Sequence, residues 1–508
     1  MRPGLQQDRV ANAASLVAGY GYVAFVLLGA AVYALRSNPM LLLLGGGVGL
    51  GLLFAGRPQW PALGLLVLWA TILDPKVGKV SVGPVQPSAA ELVLLASTAA
   101  VGLRALTRRG APSSGLLGPP IAAFVLAAVF GAAVGVAMGE SVSDAVDGLR
   151  PVLSLTAFFV FRAGFAHRPQ KFAAVLVAVA AVGAGLALVG AATGLPLGGL
   201  RVGYVITSGR LTHVSRVDPA ALRLTSLVLV LLAAGAVLVG RLWIRVAVLT
   251  SLVGLEVLSY TRSAWLPLML AAITLPVVLT ARSKWLVLAE RSVSYGAVAI
   301  AGLALAALGA FGTAGVAVVD RLASTTSSST LKDSSLQDRE LEWSAASAEI
   351  LRHPFTGIGL NRPYGATDAT YDPTLNQTTY EPKRYIHNSL LGVWLWMGLP
   401  GVVALLWLSV NLARATLRGF LQGPARRASL PLGCGAGLAV LGVQSTFQTN
   451  LLYQPALVAL AAGAALLDLW LTTSLSLPPE SAPQESVLQE SVRQSSALRV
   501  RETLGAGT

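Results

Sequence analysis

A single cysteine stands in 508 residues. Cys434 lies inside an apolar run, so an internal disulfide and a cysteine-built metal centre are both excluded. Histidine is nearly as scarce, at four, and no cluster of histidines has the spacing of a metal site. Charge is scarce as well. Charged residues make up 12% of the chain, against about 25% in soluble domains. Acids are the scarcer sign, with 23 Asp and Glu against 37 Lys and Arg, a formal net charge of +14. No Gly-rich P-loop occurs, so no ATP site is expected, and no Asp-x-Asp pair offers itself to a divalent ion.

What fills the chain is hydrocarbon. Hydrophobic residues account for 54% of it, and the mean hydropathy is +0.68. Apolar stretches of ~20 residues recur along most of the length, each able to cross ~30 Å of bilayer as a helix. The reading is an all-α polytopic membrane protein with about 12–14 transmembrane helices. Spans at 119–138, 150–166, 172–192, 388–410, 430–447 and 451–472 are among them. The N-terminus lacks a clear small-residue cleavage site, so its first apolar run reads as a retained span. The membrane domain takes in 1–474, and the Ser-, Pro-, Gln- and Glu-rich tail, 475–508, reads as a disordered cytoplasmic extension. The short basic loops, such as Arg108-Arg109 and Arg241 with Arg245, all fall on one side. That side is cytoplasmic by the positive-inside rule, and both termini lie there. Because the basic residues sit in loops between spans, nucleic acid is not the expected partner. Lipid head groups or an anionic lipid-linked substrate are.

Two long segments face the other way. The first, 193–218, carries Arg201, Arg210, His213 and Arg216, with Arg223 opening the following span and one acid, Asp218, among them. The second, 319–387, predicts a helix over about Leu336–Leu351 followed by a Tyr- and Pro-rich loop that ends at His387. Arginine outnumbers lysine, binds phosphate bidentately and stays charged at any working pH. An arginine-rich outer cavity fits a di-anionic ligand. Arg262 lies in SYTRSAW between two apolar runs, where a charge is a functional-site hypothesis by default. The alternative is a turn with the side chain snorkelling to the interface. Glu256, six residues earlier, is placed to pair with a cation, Arg262 being one choice. Arg339 falls on the predicted loop helix one turn from Trp343, with Asp338, Glu340 and Glu342 around it, the pattern of a solvated face.

His387 opens a span on the outer side. Positive potential at a helix N-terminus favours the neutral imidazole, the form a general base requires. The competing reading makes it part of a helix cap, with Asn388 or Ser389 as the capping residue.

The order TRSAW, then R-x-x-x-W on a loop helix, then HPFTGIGL, then HNSLLGVWLWMGLPG resembles the bacterial O-antigen ligase and O-antigen polymerase superfamily, integral-membrane glycosyltransferases of the GT-C type. The motif-bearing part runs from about Arg201 to Gly401. The resemblance implies a large periplasmic loop ending in a catalytic histidine, His387, with Arg262 and Arg339 binding the pyrophosphate of an undecaprenyl-linked glycan. Arg210 and Arg216 would line the same cavity, and His213 and Asn388 complete the candidate substrate contacts. It further implies the bacterial inner membrane, a periplasmic site, inverting transfer without metal or other cofactor, and a glycan, lipid or protein acceptor. Ligase, polymerase and protein O-oligosaccharyltransferase share this donor. A polysaccharide or lipid transporter is the alternative of another class, and predicts inverted repeats, which the sequence does not display.

Overall fold

The computed structural model describes residues 58–68, 88–107, 115–193, 200–207, 210–217, 222–234, 242–257, 334–372, 377–422, 429–447 and 450–476, together with Leu268 and Ala271. Helices dominate. They are α1 (Gln59–Val67), α2 (Ala89–Thr107), α3 (Gly118–Ala137), α4 (Val142–Leu153), α5 (Ala157–Gly164), α6 (Pro169–Thr193), α7 (Leu222–Ala233) and α8 (Leu242–Val257). After them come α9 (Ser334–Arg352), α10 (Ser389–Gln422), α11 (Ser429–Thr446) and α12 (Gln454–Ser476). Among the described residues, α3, α6, α10 and α12 are long and apolar enough to cross a membrane, and three shorter apolar helices accompany them. The protein is a polytopic helical membrane protein. Its axis is α12, in which every residue from 456 to 471 is buried. Runs such as ALVALAAGAALL let neighbouring helices approach closely because their side chains are small.

The chain departs from the predicted pattern in three places. The expected span at 150–166 begins earlier, as the amphipathic helix α4, capped by Ser141 accepting from Asp144 N at 3.0 Å. Pro151 has no N–H to continue the ladder, and the chain passes through a 3₁₀ turn, Ser154–Thr156, before α5. The first outer segment contains an antiparallel hairpin, β1 (Leu200–Thr207) with β2 (Arg210–Val217). The second, read as a helix and then loop, contains another, β3 (Thr367–Asp372) with β4 (Gln377–Pro382). Thr and Tyr occupy much of that hairpin, and both favour extended backbone.

The loop helix itself forms where expected and runs two residues longer at its start and one at its end. Ala, Glu and Leu give it helical preference. Pro354 ends it, because a residue before proline disfavours the α conformation. The chain then turns through HPFTGIGL and presses into the bundle.

That insertion explains the long helix α10. At Gly398 (φ 62°) the helix breaks, and Pro400 follows without an N–H. A break inside a span strands backbone groups that water cannot reach. The GIGL turn satisfies them: Ile358 N donates to Leu395 O at 2.8 Å, and Leu399 N donates to Phe355 O at 3.1 Å. On its other side, Leu360 N donates to Gly131 O of α3 at 3.2 Å. Gly359 (φ 93°) lies directly against the Gly135 backbone, so a side chain at Gly359 would collide with it. Trp394 and Trp396 finish the clasp, donating from Nε1 to Pro354 O at 3.0 Å and to Arg362 O at 2.9 Å.

Candidate active site

The clasp fixes α9 beside the start of α10, and a cluster of charged side chains forms between them. Asn388 caps α10, its Oδ1 accepting from Leu390 N at 3.0 Å and Leu391 N at 3.1 Å. Asn388 is thus the cap, and His387 is the residue before it.

His387 is gripped from α9. Its backbone N donates to Glu342 Oε2 at 3.1 Å, and its ring Nδ1 lies 3.1 Å from Oε1 and 3.0 Å from Oε2. Lys383 Nζ donates to Glu342 Oε1 at 2.6 Å. Glu342 is 1% exposed and Lys383 9%, while the His387 side chain is 36% exposed. The carboxylate and the ammonium are therefore inside the protein, and the imidazole is at its edge. Burial works against the charge on Glu342. The hydrogen bonds from His387 and Lys383 outweigh it and hold the carboxyl at about 2, below its usual 4.5.

The segment that carries Lys383 and His387 is itself immobilised. Lys383 N donates to Ala366 O at 2.7 Å, and Tyr364 Oη donates to Tyr385 O at 2.9 Å. The Tyr385 ring meets the His387 ring edge-on at 5.3 Å, with Lys383 Nζ 5.6 Å from its centroid. Arg384 turns outward to Glu140 at 2.7 Å and Asp144 at 3.4 Å, tying the loop to the start of α4.

The sequence reading takes Glu342 as part of a solvated face. The structure corrects this: Asp338 and Glu340 are exposed, and Glu342 is buried with a cation. The signal was present. Position 342 falls with Trp343, Ala346 and Ile350 on the inward stripe of the helix, and a carboxylate on such a stripe needs a partner. Arg339 is half-buried, three residues before Glu342 and so on the same side of α9.

The remaining predicted residues fall elsewhere. Arg262 lies outside the described residues. The backbones of Arg210, His213 and Arg216 are in β2, where they pair with Thr207, Tyr204 and Arg201. Glu256 has a partner the sequence did not suggest: Ser226 Oγ donates to its Oε1 at 2.6 Å. Gln444 Nε2 donates to the same hydroxyl at 3.4 Å and accepts on Oε1 from Arg223 Nη1 at 2.6 Å. Arg223 is 1% exposed, so this polar chain joins α7, α8 and α11 within the bundle.

The structure thus sets a buried carboxylate against a half-exposed histidine at the mouth of a span of a helical membrane bundle. The family follows from the sequence: residues 246–406 match the family model described as O-Antigen ligase. That match supports the O-antigen ligase superfamily, and the matched stretch contains Arg262, Arg339, Glu342, Lys383 and His387. No curated protein matches the chain in a sequence search.

Proposed function

We propose that this protein transfers a glycan from an undecaprenyl-pyrophosphate carrier to an acceptor hydroxyl, with inversion, at the periplasmic face of a bacterial inner membrane. The observation that carries the chemistry is the bond from His387 to Glu342. A carboxyl held at about 2 is ionised at any working pH and can only accept hydrogen bonds. It faces Nδ1, so Nδ1 carries the proton of the neutral ring, and the lone pair is on Nε2. Nε2 is the ring nitrogen that Glu342 does not engage, on a side chain that is 36% exposed. An imidazole held in one tautomer by a buried carboxylate is the arrangement that general-base catalysis uses.

In the reaction, the acceptor oxygen attacks the anomeric carbon as its proton passes to Nε2 of His387. The bond from that carbon to the pyrophosphate oxygen breaks, and the polyprenyl diphosphate leaves. Arg262 and Arg339 bind the diphosphate and stabilise the negative charge that grows on it. Arg210, Arg216 and His213 contribute further contacts to the glycan-diphosphate, and Asn388 lies beside the base. The diphosphate is already a competent leaving group, so the arginines alone meet the electrostatic demand. The family match supports the glycosyltransferase reading, and the lone transport alternative has no use for a fixed tautomer at the surface.

The test is transfer in proteoliposomes supplied with a polyprenyl-diphosphate oligosaccharide and candidate acceptors. Polyprenyl diphosphate release with glycan appearing on lipid A-core means ligase, a ladder of lengthened glycan means polymerase, and glycan on protein means an oligosaccharyltransferase. His387→Ala should abolish transfer and leave donor binding close to wild type. Retained transfer in that variant would refute the base assignment.

A further inference from the structure

The mechanism above leaves Lys383 without a task. Its ammonium is buried, it bonds the same Glu342 oxygen that faces the His387 ring, and its backbone is pinned to Ala366. We propose that Lys383 is a positioning residue that sets the basicity of His387, by cancelling the charge of Glu342 so that the carboxylate orients the imidazole without drawing a second proton onto it. This rests on the reading of His387 as the base.

The effect is electrostatic. A carboxylate alone beside an imidazole favours the imidazolium, and an imidazolium cannot accept the acceptor's proton. With Lys383 in place the carboxylate is already neutralised inside the protein. Protonating His387 would then put two cations on one carboxylate, at 2.6 and 3.1 Å from Oε1. The positive N-terminal end of α10, capped by Asn388, opposes that second charge as well. Among the described residues, the charged and titratable groups that meet this site are Glu342 on α9 and Lys383 and Tyr385 on the segment before α10, beside the α10 terminus. Asp338 and Glu340 are on the exposed side of α9, and Arg384 faces Glu140. Glu342 thus orients the ring while Lys383 limits the electrostatic cost of doing so.

The experiment is the pH dependence of kcat/KM for transfer in proteoliposomes, for wild type, Lys383→Gln, Lys383→Met and Lys383→Arg. Gln keeps a donor for Glu342 without the charge, and Arg keeps the charge. The acidic limb of the profile should move up by about one pH unit or more in Lys383→Gln and Lys383→Met. Activity near pH 6 then falls about tenfold and recovers at alkaline pH. Lys383→Arg should retain the wild-type limb. Should Met prevent folding, the Gln and Arg pair carries the comparison. A uniform loss at every pH, or an unmoved limb in Lys383→Gln, overturns the proposal. An active His387→Ala variant would instead overturn the base reading beneath it, so the two failures are distinguishable.

Discussion

Glu342→Gln is the most demanding test of the site. The substitution keeps shape and volume but removes the charge. In the wild type one carboxylate accepts from the Lys383 ammonium, the His387 backbone N and the His387 ring. A glutamine has one acceptor oxygen and a donor group, so it cannot serve all three. Two effects follow. The buried Lys383 ammonium loses its counter-charge, and breaking one half of a buried pair costs about 3–5 kcal/mol. That cost falls on the packing of α9 against the segment that leads into α10, since Lys383 and Glu342 bridge them. The imidazole also loses its fixed tautomer. Removing the carboxylate that holds a catalytic imidazole lowers kcat by about 10⁴-fold, or about 5.4 kcal/mol at 1.36 kcal/mol per decade. The assay is single-turnover transfer from a polyprenyl-diphosphate oligosaccharide, with donor binding measured separately. Transfer should fall by about 10³–10⁴-fold, and protease cleavage should become faster around 334–352. A kcat within about tenfold of wild type would refute the role given to Glu342.

Three further outcomes follow from the same structure. Glu342 has a folded value of about 2 against 4.5 unfolded, a depressed carboxylate, so its contribution is present above pH 4.5 and is lost as pH falls toward 2. At 1.36 kcal/mol per unit this is about 3 kcal/mol, and thermal unfolding of the purified protein between pH 5 and 3 should register it, less so in Glu342→Gln. Gly398→Ala places a side chain in the left-handed region and against the Phe355 carbonyl. It should cost about 1–3 kcal/mol or more and loosen the clasp, read as faster proteolysis after His353 and reduced transfer. Arg339→Ala should raise the donor Kd and also lower transfer. Unchanged donor affinity there would remove Arg339 from the diphosphate site.

The sequence by itself determined the membrane class and, among the described residues, most helix positions. These are local properties. Hydropathy over ~20 residues gives a span, a proline after His353 ends α9, and an Asn before Ser389 caps α10. The motif order in TRSAW, HPFTGIGL and HNSLLGVWLWMGLPG carries the superfamily, which the match over 246–406 bears out. The exact entry of the chain at α4 was not legible, because an amphipathic helix and a span share hydrophobic residues, and Pro151 allows either to end there. Nor were the hairpins, since Thr- and Tyr-rich loops and strands have similar composition.

Only the tertiary structure decided what Glu342 does. As one of several acids around Arg339 it reads as solvated, because a polar residue's local pattern is the same whether it meets water or a cation. What separates the two is a contact across 41 residues to Lys383 and 45 to His387. The same holds for the clasp. HPFTGIGL and GLPG are separately visible as turn and kink, but that each satisfies the other's stranded backbone groups depends on α9 lying against α10. Burying a charge, or breaking a helix inside a membrane, is stable only where a distant partner arrives. The sequence names the partners, and the fold brings them together.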